Sequence, residues 1–151
     1  MKKVLVFLGV LFIAAAIWAG DKVITDDHMG DINIQKGNLR IEEDADIMGN
    51  IFIEEGDLFI ADSVDVIGKI TIKKGNIFIK DDVDLAKVVT VEEGNITMED
   101  NNDIHADLIC KKGIVKMGAN NDIMGDVYAM ELKRGANSDI AGKFHKIEKE
   151  K

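Results

Sequence analysis

Hydrophobic and polar residues alternate through most of the chain, as in GNIFIEEGDLFIADSVDVI at residues 49–67. A two-residue period is typical of β-strands that bury one face. The hydrophobic residues do not recur at the 3.6-residue spacing of an amphipathic helix. Proline is absent from the chain, which suits continuous β-structure because proline removes a donor from a strand ladder. The pattern therefore predicts an all-β protein.

The alternation itself repeats every nineteen residues. Five consecutive lines starting at Gly30 align without a gap, and a sixth line starting at Gly125 is two residues shorter. Equal periods of this kind are typical of solenoids, in which each repeat forms one coil that stacks on the next. We expect a single-stranded parallel β-helix (β-solenoid) of about six to seven coils. The left-handed type is built from hexapeptides and nineteen is not a multiple of six, so we expect a right-handed helix.

Five positions of the repeat are hydrophobic in nearly every line and predict the core. They are positions 3, 5, 10, 12 and 18, occupied in the second line by Ile51, Ile53, Leu58, Ile60 and Val66. Position 8 is glycine in five lines and is often followed by Asn or Asp, which predicts a corner of the coil.

Charged residues at positions 6 and 7 change sign from one line to the next. Lys73-Lys74 is preceded by Glu54-Glu55 and followed by Glu92-Glu93. In-register stacking would place each basic pair between two acidic pairs, whereas like charges directly opposite one another destabilise adjacent strands. The alternation therefore predicts a register of one coil, or nineteen residues, between neighbouring strands.

The first nineteen residues, MKKVLVFLGVLFIAAAIWA, have the layout of a secretory signal peptide. Two lysines precede an apolar run, and small residues follow it. An uncleaved anchor is the alternative, because the apolar run is only slightly shorter than a membrane span. We therefore divide the chain into a signal peptide or anchor at 1–19, a β-solenoid domain at 20–144 and a charged tail at 145–151. The expected location is the periplasm, the cell surface or the medium.

The composition narrows the choice of partners. The formal net charge is −9, which disfavours nucleic acid and anionic lipid. Contact with a membrane is expected only if the N-terminal segment is retained. The single cysteine, Cys110, cannot form an internal disulfide and falls at hydrophobic position 5, so we expect a buried thiol.

Position 17 is aspartate in successive lines. Two interpretations remain open for this column: each carboxylate accepts a backbone N–H at a corner, or Ca²⁺ binds between coils with further oxygens from position 15. No other cofactor is expected. The column consists of Asp27, Asp46, Asp65, Asp84, Asp103, Asp122 and Asp139, and the position 15 residues considered with it are Asp44, Asp82, Asn101, Asn120 and Asn137.

Three phenylalanines stand where outward-facing side chains are expected. Phe52 occupies position 4, and Phe59 and Phe78 occupy position 11 of consecutive lines. Such a group could mark a lateral contact between copies of the chain. The histidines have no metal-ligand spacing, and no hydrolase triad, phosphate-binding loop, CxxC or HExxH motif occurs. We therefore expect a protein that is not an enzyme.

The segments DADIMGNIFIEEGDLFI and GANNDIMGDVYAMELKRGANSDIAGKF resemble the coils of bactofilins, a family of small bacterial β-helices that form polymers. The resemblance covers residues 23–144. It implies a right-handed β-helix, no nucleotide, no catalysis, and filaments formed by end-to-end stacking near a membrane.

Together these observations predict a non-enzymatic exported β-solenoid with a structural or scaffold role, self-assembling into a homo-oligomer or short polymer. The alternative is a cell-surface or periplasmic, adhesin-like binding module that engages cations or polysaccharide.

Overall fold

A computed structural model describes residues 16–149. In that part of the chain all regular secondary structure is β-strand, and there is no helix. The strands are short, and each is followed by a corner. They are β1 (Ala16–Ala19), β2 (Lys22–Ile24), β3 (His28–Met29), β4 (Ile32–Lys36), β5 (Leu39–Ile41), β6 (Asp46–Met48), β7 (Ile51–Glu55), β8 (Leu58–Ile60), β9 (Asp65–Val66), β10 (Ile70–Lys74), β11 (Ile77–Ile79), β12 (Asp84–Leu85), β13 (Val89–Glu93), β14 (Ile96–Met98), β15 (Asp103–Ile104), β16 (Leu108–Lys112), β17 (Ile114–Met117), β18 (Asp122–Ile123), β19 (Val127–Ala129), β20 (Glu131–Lys133), β21 (Asp139–Ile140) and β22 (Phe144–Lys146).

The strands form three parallel sheets; each complete coil contributes one strand to each sheet, and β22 adds an eighth strand to the first sheet. The first sheet has eight strands in the order β1-β4-β7-β10-β13-β16-β19-β22. The second runs β2-β5-β8-β11-β14-β17-β20, and the third runs β3-β6-β9-β12-β15-β18-β21. Neighbouring strands are therefore one coil apart in sequence. The prediction of an all-β parallel solenoid of about seven coils is confirmed.

The register is the one that the repeat predicts. Ile70 pairs with Ile51 on one side and with Val89 on the other, nineteen residues away in each direction. The shorter last line keeps its columns because the two missing residues fall between β19 and β20. Asp122 consequently pairs with Asp139, seventeen residues later.

The core is a continuous column of aliphatic side chains enclosed by the three sheets. All five predicted hydrophobic positions point inward, and in the second coil their side chains are at most 1% exposed. Position 16 is a sixth buried column, which the hydrophobic pattern did not predict because it changes from apolar to polar along the rod. It contains Ala45, Val64, Val83, Asn102, Asn121 and Ser138.

Two columns at the corners have backbone conformations that restrict the residue type. Gly75 has a φ of +147°, and a Cβ at this position would lie 1.8 Å from the carbonyl oxygen of Gly56 one coil below. Only glycine fits such a close approach. Position 15 is left-handed in six coils, where Asp and Asn are tolerated better than most residues. Its members are Asp44, Ser63, Asp82, Asn101, Asn120 and Asn137.

Strand pairing extends beyond the predicted domain bounds of 20–144 at both ends. β1 pairs with β4, so the backbone of Ala16–Ala19 continues the first sheet. β22 pairs with β19 as far as Lys146, inside the predicted charged tail. Most of the predicted signal peptide, residues 1–15, lies outside the described residues. The described part contains no helix long and apolar enough to cross a membrane.

Candidate functional site

The predicted aspartate column forms a continuous row on the outer face of the third sheet. Asp65 pairs in register with Asp46 and Asp84, and the pairing continues through Asp103 to Asp122. Neighbouring carboxylates therefore stand on strands about 4.8 Å apart. We call this row the acidic ladder. It consists of Asp46, Asp65, Asp84, Asp103 and Asp122.

The carboxylates of the acidic ladder do not cap the corners, so that interpretation was wrong for these residues. Among the described residues, the only position 17 carboxylate that accepts a backbone N–H is that of Asp27, from Asp46 at 3.1 Å. Corner capping is performed by other columns instead. Asp57 Oδ1, for example, accepts the N–H of Asn76 at 2.7 Å, and Asp81 Oδ1 accepts that of Asp100, also at 2.7 Å.

Of the position 15 residues considered as further calcium ligands, the three asparagines hydrogen-bond to one another. The Asn120 side-chain amide donates to Asn101 Oδ1 at 3.3 Å, and the Asn137 amide donates to Asn120 Oδ1 at the same distance. Their left-handed backbone, a conformation that Asn and Asp tolerate, accounts for the choice of these residues. In the described residues, no three His, Cys, Asp or Glu groups converge on a point that could hold a metal ion.

Asp65, the second residue of the acidic ladder, has a perturbed carboxyl group. Partial burial, together with the neighbouring charges of Asp46 and Asp84, raises the pKa of Asp65 above its usual value. No side-chain hydrogen bond to Asp65 occurs in the described part of the chain, so protein donors do not offset this cost. A bound cation or a basic partner would.

His105 joins the acidic ladder from the adjoining outward column. This column is position 19, and it also carries the exposed side chains of Met29, Met48, Ile67 and Met124. His105 Nε2 lies 3.1 Å from Asp84 Oδ2, and Nδ1 lies 3.3 Å from the Sδ of Met124. The sequence analysis missed this contact because it tested the histidines only for the spacing of known metal-binding motifs, which do not include a methionine one coil away. The available signal was the offset: His105 and Met124 are one period apart.

The three phenylalanines do not form one patch. Phe59 and Phe78 stack on the second sheet, with ring centroids 5.0 Å apart and planes at 9°. Phe52 lies on the first sheet, where the Lys73 ammonium sits 5.5 Å from its ring centroid. The stacked pair lines a small groove with Arg40 and Lys80, and the lateral contact between copies of the chain stays a prediction.

The alternating charges meet across the coils as predicted. Lys73 lies 3.4 Å from Glu54, and Lys112 lies 2.9 Å from Glu93. Side chains in these pairs are about half exposed, and exposed ion pairs contribute little to stability. We call the whole set the charge ladder. It consists of Lys36, Glu54, Glu55, Lys73, Lys74, Glu92, Glu93, Lys111 and Lys112.

A second histidine cluster lies at the end of the first sheet. The His145 ring stacks on Tyr128 with centroids 4.5 Å apart, and its Nε2 lies 2.9 Å from Asp126 Oδ2. Asp126 also accepts the N–H of Lys143 at 2.9 Å. The Lys143 bond, followed by the His145 contact, lowers the pKa of the Asp126 carboxyl. These contacts tie β22 to the rod and do not form a cleft.

Cys110 is buried, as expected, with no exposed surface. Its Sγ donates to the carbonyl oxygen of Gly94 at 3.1 Å. Burial raises the thiol pKa to about 11, which makes the thiolate scarce at neutral pH.

Comparison with protein-family models, with curated proteins and with solved structures gave no match.

Proposed function

We propose that this protein is a non-enzymatic, exported structural element that self-assembles through the ends of its β-solenoid. The observation that carries the proposal is the open sheet edge at the C-terminal end. β22 is the last strand of the first sheet, and no strand within residues 16–149 pairs with its outer side. An open edge presents unpaired N–H and C=O groups that another strand can join. The resemblance to bactofilin coils points in the same direction.

The opposite end has an edge that depends on the N-terminal segment. In the full chain, the backbone of β1 covers β4. Cleavage after Ala19 would remove β1 and leave β4 as the outermost strand of the first sheet. Export and the ability to assemble would then be linked, because only the processed chain would offer both edges of this sheet.

The backbone bonds of β22 show which groups face outward. Val127 N–H donates to Lys143 O, and Ile147 N–H donates to Ala129 O. Since residues in a parallel strand direct their backbone groups to alternate sides, the N–H groups of Phe144 and Lys146 point away from the rod. A proline at residue 146 removes one of these donors without breaking a bond inside the solenoid.

We therefore test the proposal with Lys146→Pro, with Lys149→Pro beyond the strand as the matched control. Negative-stain electron microscopy of residues 20–151 should show rods joined end to end for the parent protein and for Lys149→Pro, and single short rods for Lys146→Pro. Equal assembly of all three proteins would show that this edge is not the contact. Single rods from the parent protein would contradict the proposal itself.

A second candidate function is a cation-dependent surface binding module, for example one that engages polysaccharide through Ca²⁺. The acidic ladder favours it, because the Asp65 carboxylate has a raised pKa and accepts no hydrogen bond from the described residues. Calcium should then raise the melting temperature of the parent protein and have a weaker effect on Asp65→Asn. An unchanged melting temperature with Ca²⁺ and with chelator would remove this candidate.

A further inference from the structure

The contact between His105 and Met124 brings together two metal-binding groups that the acidic ladder alone does not provide. His105 follows β15 and Met124 follows β18, one coil further along the third sheet. The N–H of Met124 donates to the carbonyl oxygen of Ile104 at 2.8 Å, which fixes the two residues side by side. Their side chains meet on the surface, where Met124 is 59% exposed.

We propose that His105 Nδ1 and Met124 Sδ bind a soft monovalent ion, Cu(I), on the outer face of the third sheet. The two atoms are 3.3 Å apart. For Zn²⁺, a d¹⁰ ion like Cu(I), bonds are about 2.0 Å to imidazole nitrogen and about 2.3 Å to thiolate sulfur. These lengths and the observed separation correspond to an angle of about 100° at the metal. The two donors therefore have the spacing of neighbouring ligands on one ion.

Asp84 orients the imidazole for this role. Its carboxylate lies 3.1 Å from His105 Nε2 and, because a carboxylate only accepts, the proton of the neutral ring is held on Nε2. The Nδ1 lone pair then faces the sulfur of Met124, with no proton between them. A histidine that binds metal through one nitrogen commonly donates its other N–H to a carboxylate. Asp84 is thus a positioning residue and not a ligand.

The donor types select the metal. Thioether sulfur is a soft ligand that favours Cu(I), and imidazole is compatible with copper, whereas Ca²⁺ and Mg²⁺ require oxygen. The outer side of the site is open, since both side chains are exposed to solvent. This inference is independent of end-to-end assembly, because the site lies on a long face of the rod.

The chain contains its own control. His145 has the same carboxylate partner arrangement, with Nε2 2.9 Å from Asp126, but its ring stacks on Tyr128, and none of its hydrogen bonds in the described part of the chain is to a methionine sulfur. His145→Gln should therefore leave soft-metal binding unchanged. His105→Gln and Met124→Leu should abolish it, and Asp84→Asn should weaken it by about tenfold. Both proposed ligands are exposed, so these variants should keep the melting temperature and circular dichroism of the parent.

We would titrate the full chain in detergent with Ag(I), a redox-inert substitute for Cu(I), in chloride-free buffer, and follow the methionine methyl groups by NMR. One equivalent should shift the methyl signal of Met124 and leave that of buried Met98 in place. Anaerobic competition against a Cu(I) chelator should then give the affinity order stated above. Shifts confined to Met29 and Met48, no shift at all, or equal affinity of His105→Gln and the parent would each overturn the assignment.

Discussion

Reversing two charges in the middle of the charge ladder should destabilise the rod measurably. Lys73→Glu with Lys74→Glu places acidic side chains between two acidic pairs. Lys73 lies 3.4 Å from Glu54, and Lys74 pairs in register with Glu55 and Glu93. Lys73–Glu54 is the pair that lies within ion-pair distance, and the other neighbours of the two lysines above and below are more distant opposite charges; all of these attractions become repulsions in the double variant.

The size of the effect follows from the exposure of these pairs. A half-exposed ion pair is worth about 0.3 kcal/mol, and a like-charge pair costs a similar amount. The Lys73–Glu54 contact then changes by about 0.6 kcal/mol in the free energy of unfolding, and the more distant like charges add smaller losses in the same direction. Urea denaturation followed by far-UV circular dichroism measures it as a lower midpoint.

Two further variants separate the effect of losing opposite-charge neighbours from the effect of the changed net charge. Lys69→Glu with Lys87→Glu makes the same change in net charge at exposed lysines whose neighbours in their own columns are uncharged, so it should cost much less. Inverting every member of the charge ladder restores all opposite-charge contacts and should recover most of the lost stability. If the fully inverted protein is as unstable as the double variant, or if the two double variants have equal midpoints, the reasoning is refuted.

Two other residues give independent tests. Because the pKa of Asp65 is raised in the folded state, its ionised form costs stability at neutral pH, and this cost is relieved as the pH falls through the raised pKa. Asp65→Asn should therefore increase the free energy of unfolding at pH 7 by about 0.2–1 kcal/mol. The increase should be smaller for Asp139→Asn at the end of the column, and Asp65→Asn should give no increase in acid, where the carboxyl group is protonated. A loss of stability at pH 7 would contradict this account. Cys110, with a thiol pKa of about 11, should resist alkylation at pH 8 until the protein is unfolded in guanidinium, and equal rates before and after unfolding would mean that position 5 is not buried.

The fold could be predicted from the sequence because a single repeat length sets the strands, their register and the core. A nineteen-residue repeat with alternating residues defines strands, register and core together, and the charge ladder confirms the register. Gly75 could be placed at a corner from its column alone. Its close approach to Gly56 is a property of stacked backbones and required the structure.

The candidate sites were less predictable because they depend on the direction of side chains at corners. Asp57 and Asp65 look alike in the sequence, yet Asp57 accepts a backbone N–H and Asp65 accepts none among the described residues. Asn102 has the residue type of a corner, but it is buried and its Oδ1 accepts the N–H of Val83 at 2.9 Å. Column membership is encoded in the repeat, whereas the choice between capping, burial and exposure is made by the local backbone.

End-to-end assembly is the central claim, and sedimentation velocity of residues 20–151 over a wide range of concentration tests it most directly. We expect the sedimentation coefficient to rise with concentration while the particles remain elongated, as rods that lengthen by stacking would behave. A single elongated species with a constant sedimentation coefficient at every concentration would contradict the claim.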